Sequence, residues 1–220
     1  MSKPPERFTE EGYGMKEEFL SGRKIWLASR SPRRKELLSR ITPDFTVKVS
    51  RFDEAPLMAQ AGSVPPEELV KALSAGKARA VWEELGAPAG GLVIGGDTVV
   101  VSPDGEVFGI PEDREDAARM LRALSGRTHR VSTGVTILGR EGARSFSVTT
   151  LVEFYPLDEG DIAAYLDTGE PFDKAGAYGI QEAGSLLVRG IRGSFDNVVG
   201  LPAAALLREL AAFCGSSREI

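Results

Sequence analysis

Residues 92–101 read LVIGGDTVVV, an almost unbroken apolar run. A strand needs such a run when both faces of its sheet are covered, which points to a layered α/β architecture with helices on each side. The neighbouring segments agree, because strand-like and helix-like patterns alternate along the chain without internal repeats. Yet Asp97 and Thr98 stand at the centre of the run. A carboxylate there must be paired with a cation, bound to a metal or protonated. Gly95 and Gly96 beside it permit close approach of a ligand or of another backbone. The bland alternative is that Asp97 bonds neighbouring amides at a bulge, and pattern alone leaves both readings open.

A second junction stands out upstream. Residues 24–38, KIWLASRSPRRKELL, read as an apolar strand that turns through two serines into a helix. Ser31 is a good N-cap and Pro32 suits the first helical position, so free amides of the first turn point toward the end of the strand. Arg33 and Arg34 share that turn. Cations are unfavourable at a helix N-terminus unless an anion compensates, and phosphate is the expected one, with Ser29 and Ser31 beside it.

Composition narrows the partners. The chain has 220 residues, 42% of them hydrophobic and 27% charged, as expected for one globular domain or two tightly joined lobes. Its net charge of −5 argues against a general nucleic-acid groove. No apolar run approaches the roughly 18 residues of a membrane span, and the first twenty residues are too polar for a signal peptide, so a cytoplasmic protein without membrane attachment is expected. With one cysteine, Cys214, and one histidine, His129, the usual Cys/His zinc site is excluded. Oxygen ligands would favour Mg²⁺ or Mn²⁺.

Residues 1–22, rich in Pro, Glu and Lys, read as a flexible tail or short peripheral helix, leaving 23–220 as the folded domain. Residues 45–49 resemble a strand leading to Asp53 and Glu54. A long helix starts at Pro65–Glu68 and carries Leu69, Val70, Leu73, Ala80, Val81 and Leu85 on its apolar side. Lys77 falls on that side too, where it needs an anionic partner. Ser102–Gly105 closes a hairpin, and 113–124 form a helix capped by Asp113. Residues 131–138 and 146–154 pair as a hairpin, and 158–166 form another helix. Residues 168–184, TGEPFDKAGAYGIQEAG, lack periodicity and have the composition of either a functional loop or a surface turn. Strands are expected at Ser185–Ile191 and in SFDNVVGLP, before a helix from Pro202 to about Phe213.

Arg33, Arg34, Lys77 and Lys174 suit neutralisation of a polyphosphate, and Asp97 with Asp53 or Glu54 suits a divalent ion and an activated water. No Gly-x-Ser-x-Gly elbow, P-loop or dinucleotide fingerprint is present, so phosphate binding must come from another scaffold. His129 lies in a turn with no evident partner triad and reads as structural.

LASRSPRRKELL, GGDTVVV, LSGRTHRVSTGV, DKAGAYGIQ and VVGLP stand in the order and spacing of the Maf family of nucleoside triphosphate pyrophosphatases, which the chain resembles beyond its tail. The resemblance implies an extended mixed α/β sheet like that of inosine triphosphate pyrophosphatases, with two lobes about a deep cleft. It also implies divalent-metal-dependent hydrolysis of a nucleoside triphosphate to monophosphate and diphosphate, and commonly a homodimer. By the same resemblance the proton acceptor falls on Asp97, the specificity positions on Arg33, Thr98 and Gln181, and further acid and lysine positions on Glu54, Lys77 and Lys174. Arg33, Thr98 and Gln181 match the branch acting on dTTP and UTP; the 7-methyl-GTP branch typically has Trp, Gln and Glu instead. Gln suits a uracil or thymine edge because it offers both donor and acceptor.

The chain departs from the family at Ile110, where a phosphate-neutralising lysine is usual. Loss of one charge-assisted contact costs roughly 1.5–3 kcal/mol. Two other classes of reading therefore stand beside the enzyme. One is a nucleotide-binding regulator of cell division or septum formation with weak catalysis. The other is a nucleic-acid-binding protein, suggested only by Arg30, Arg33, Arg34 and Arg40 and opposed by the acidic balance.

Overall fold

The computed structural model describes residues 17–215, and a mixed sheet of seven strands forms its centre. In chain order these are β1 (Lys24–Ala28), β2 (Thr46–Val47), β3 (Gly91–Val101), β4 (Val107–Phe108), β5 (Thr128–Gly139), β6 (Gly142–Phe154) and β7 (Val188–Arg192). They lie in the order β2-β1-β3-β5-β6-β7, with β4 added to β3. β1 runs parallel to β2 and β3; the remaining pairings are antiparallel. The helices are α1 (Pro32–Ser39), α2 (Ala55–Met58), α3 (Pro66–Glu84), α4 (Arg114–Leu124), α5 (Glu159–Asp167), α6 (Phe195–Val199) and α7 (Ala203–Gly215).

β3 is covered on both faces, as its composition predicts, and only Thr98 along it is not fully buried. On one face Val93, Val99 and Val101 meet Val70, Ala78 and Val81 of α3. On the other, Leu92 and Ile94 pack with α1 and α7 through Leu37, Leu38, Leu206 and Leu210. Farther along the strand Val100 packs instead with Leu121, Leu124 and Ile162 of α4 and α5. This face is therefore divided between two cores, and Thr98 falls between them.

α3 starts where Pro66 and the acids Glu67 and Glu68 suit a helix N-terminus. It crosses the sheet at van der Waals contact with two glycines. An added Cβ at Gly95 would lie 2.2 Å from the Ser74 carbonyl oxygen, and one at Gly134 would lie 2.2 Å from that of Val70. Gly95 thus admits another backbone rather than a ligand. A Ser74–Thr136 hydroxyl bond of 2.8 Å pins the helix to β5.

Several boundaries differ from the sequence reading. Of the expected tail, residues 1–16 lie outside the described residues, whereas Glu17–Leu20 form a 3₁₀ turn and Leu20 is buried in the core. The packed region therefore begins before residue 23. The strand expected at Ser185–Ile191 starts only at Val188, because Glu182–Leu187 form a 3₁₀ helix; pairing with β6 begins at Val188 opposite Phe154. SFDNVVGLP contains no strand. Ser194 caps α6 by accepting the Asn197 amide at 3.2 Å, and the buried Asn197 side chain donates to Val131 O and Thr150 Oγ1, both at 3.0 Å. These bonds select a short helix over the extended form that Val198 and Val199 suggest.

Candidate active site

Strand register opens the cleft. β1 accompanies β3 only as far as the Ala28–Gly95 pair, and β4 joins the same edge at Val100. From Gly96 to Val99 that edge has no strand partner among the described residues. The turn leaving β1 and the irregular segment after α5 face this gap across a cavity of about 1050 Å³, ample for a nucleotide. Ser29, Ser31, Arg33, Arg34, Glu54, Lys77, Asp97, Thr98, Lys174 and Gln181 all line it. Asp53 does not; its carboxylate caps the Ala55 amide at 3.1 Å.

On the α3 side, Asp97 and Glu54 converge on one ammonium. Lys77 Nζ lies 3.0 Å from Glu54 Oε1 and bonds Asp97 Oδ1 directly. The lysine that helical spacing turned inward thus finds its anion, and the bulge reading of Asp97 falls away. Among the described residues no group of three or more His, Cys, Asp or Glu side chains could hold a metal. Two convergent carboxylates nonetheless suit Mg²⁺ or Mn²⁺, which take hard oxygen donors and keep waters or substrate phosphates in the remaining positions.

On the opposite side the SPRR turn is built as its pattern predicts. Ser31 caps α1 by accepting the Arg34 amide, with Pro32 in the first turn. The two arginines then diverge. Arg34 donates from Nε to Gly200 O at 2.7 Å, and from its terminal nitrogens to Thr98 Oγ1 at 2.9 Å and Ser29 Oγ at 3.3 Å. Burial draws this guanidinium below its ordinary pKa, while the Asp97 charge opposes the shift. Its fork therefore braces the turn leaving β1, β3 and the VVGLP turn. Thr98 continues the brace through Thr133 Oγ1 at 2.9 Å, and Thr133 donates to Asn197 O at 3.0 Å.

Arg33 reaches across the cleft instead. Its guanidinium bonds Asp173 Oδ2 at 3.0 Å and the Asp173 carbonyl at 3.3 Å. Lys174 Nζ takes the other Asp173 oxygen at 2.6 Å and the Glu170 carbonyl at 2.6 Å. Arg33 and Lys174 hold the Asp173 carboxyl below its ordinary pKa despite partial burial. One carboxylate thus occupies two cations assigned to phosphate and base. Sequence reading missed Asp173; its place in FDKAG beside Lys174 was the available signal.

His129 is buried beneath the cleft wall, with Nε2 2.8 Å from the Tyr178 hydroxyl and edge-on packing against Phe154 and Tyr178. Burial pushes its pKa down to about 4, so the ring is neutral at pH 7. Ile110 also lines the cleft and is 60% exposed, an apolar side chain turned to solvent where the family resemblance implies a cation. No helix among the described residues is long and apolar enough to cross a membrane.

A family model described as Maf-like protein matches residues 24–213. The dTTP/UTP pyrophosphatase of Bacillus velezensis is 48% identical over 191 residues, covering 87% of this chain and 97% of that relative. That of Thermococcus gammatolerans is 50% identical over 186 residues, with 84% and 95% covered. Among solved structures, the Staphylococcus aureus Ham1 protein matches 60% of this chain and 71% of its own, with 17% identity and a TM-score of 0.42.

Proposed function

The chain belongs to the Maf family, and from that premise we propose that it hydrolyses dTTP and UTP to the monophosphate and diphosphate. Modified pyrimidine nucleoside triphosphates are further substrates in this reading, and the role is housecleaning of the nucleotide pool. The observation that carries it is the meeting of Asp97, Glu54 and Lys77 on one side of a nucleotide-sized cleft with Arg33, Lys174 and Gln181 on the other.

Asp97 is the proton acceptor. Its carboxylate orients a water for in-line attack on the α-phosphorus and takes the proton as the new P–O bond forms. The bond from the α-phosphorus to its bridging oxygen breaks, and diphosphate leaves. Lys77 holds Asp97 in place and offers positive charge to the departing phosphates, with Lys174 and Arg33. Arg34, bonded to Thr98 and Gly200, holds the SPRR turn against β3 and the VVGLP turn at the cleft wall. Asp97 and Glu54 would hold a divalent cation, which when bound neutralises phosphate charge and acidifies water. Gln181 reads the pyrimidine edge and Arg33 supplies further donors to carbonyl or phosphate oxygens.

Diphosphate release from a panel of nucleoside triphosphates with Mg²⁺, Mn²⁺ or Co²⁺ tests this reading. Asp97→Asn should lower kcat by about 10²-fold or more; wild-type turnover by that variant would remove Asp97 from the role. Exposed Ile110 favours a second reading, a nucleotide-binding regulator of cell division with weak catalysis. Tight dTTP binding without diphosphate release would select it. A cytoplasmic location and a homodimer belong to the same proposal, tested by cell fractionation and by sedimentation.

A further inference from the structure

Gln181 sits in a segment held in an unfavourable backbone shape. Ala177 and Glu182 both occupy the left-handed region, with φ of 58° and 52°. Non-glycine residues stay there only where the surroundings over-determine the conformation, and such strain gathers at functional sites.

Two side chains hold the part of the segment that flanks Gln181. The Glu170 carboxylate accepts the Ala183 amide at 3.2 Å through one oxygen and the Gly184 amide at 3.3 Å through the other. The Tyr165 hydroxyl accepts the Gly179 amide at 3.1 Å. Amides on both sides of Gln181 therefore end on these two side chains, Tyr165 before it and Glu170 after it. Ile180 is buried in the core, so the segment is anchored immediately before Gln181 as well. Gly184 closes the arrangement, because an added Cβ there would lie 1.9 Å from the Gly179 carbonyl oxygen.

An amide side chain distinguishes nucleobases only if its donor and acceptor are held in register with the base edge. We propose that Glu170 and Tyr165 are positioning residues that fix the reach of Gln181 into the cleft and so set the choice of base. Neither needs to touch the base; they act through the backbone that flanks Gln181. The inference rests on the reading of Gln181 as the base-contacting residue.

The test compares kcat/KM for dTTP with that for CTP, whose base exchanges a carbonyl acceptor for an amino donor. Glu170→Gln keeps the volume but presents an amino group to one of the two backbone amides. It should lower the dTTP-to-CTP preference by about tenfold or more while thermal unfolding stays cooperative. Tyr165→Phe, which removes a single hydroxyl, should shift the preference in the same direction and carries the test if Glu170→Gln does not fold. In a Gln181→Ala background either substitution should change the preference by less than about twofold. A preference untouched by Gln181→Ala would overturn the base-reading role and this inference with it. If Gln181→Ala lowers the preference while Glu170→Gln and Tyr165→Phe leave it intact, or add to it independently, positioning alone is overturned.

Discussion

The Lys77 ammonium bonds the Asp97 carboxylate from the helix that crosses the sheet beside the open edge of β3. Both side chains are largely sheltered, at 14% and 11% exposure, so each compensates the other, with Glu54 a second anion for Lys77. Removing one partner of such a pair costs roughly 3 kcal/mol, because the remaining charge stays desolvated. Lys77→Met should therefore lower unfolding free energy by about that amount. Adding Asp97→Asn to it should recover part of the loss, a non-additivity that urea denaturation of the single and double variants would measure.

Lys77 reaches Asp97 only because α3 lies so close to β3. Gly95→Ala would place a methyl against the Ser74 carbonyl, a rigid backbone atom that cannot turn aside. The helix must shift, with a stability loss of about 2 kcal/mol typical of overpacking. kcat should fall as well, since the lysine moves with the helix. An unchanged denaturation midpoint together with full activity would refute this contact.

His129 gives the fold an acid-side pH dependence. Its ordinary pKa is 6.5 and burial lowers the folded value to about 4, so the unfolded chain takes up the proton first as pH falls. The stabilisation is complete above pH 6.5 and declines down to about pH 4, below which both states carry the proton. The total is about 3 kcal/mol. His129→Gln should be less stable at neutral pH, through loss of the Tyr178 bond, but should lose that part of the acid slope. Unfolding curves from pH 7.5 to 4 decide it.

Ile110→Lys would place an ammonium at an exposed position lining the cleft. A restored charge-assisted contact is worth about 1.5 kcal/mol, or roughly tenfold in kcat/KM for dTTP. The gain should shrink as ionic strength rises. No gain at low salt would mean that the cleft compensates for the missing cation elsewhere.

Much of the molecule was legible in the chain. LVIGGDTVVV required a strand covered on both faces, Ser31 and Pro32 required a helix start, and the inward lysine required an anion. Each follows from short-range chemistry, in which a local pattern meets a backbone rule or a desolvation penalty. The misreadings share another origin. SFDNVV looked extended because Val198 and Val199 favour strands, but the buried bonds of Asn197 to Val131 and Thr150 outweigh that preference. Asp53 and Glu54 were equivalent as neighbours in sequence; a turn that caps Ala55 with Asp53 leaves Glu54 to Lys77.

The sequence by itself determined the layered α/β class, the SPRR helix start and the residue types that meet in the cleft. Its family motifs placed Asp97, Thr98 and Gln181 among them. Only the tertiary structure decided which cation meets which anion. Arg33 and Arg34 are adjacent and chemically alike, yet one crosses the cleft to Asp173 and the other turns inward to Thr98 and Gly200. Successive side chains leave a helix about 100° apart, so the difference between them is set by what lies 64 to 166 residues away in the chain, and no local pattern records it.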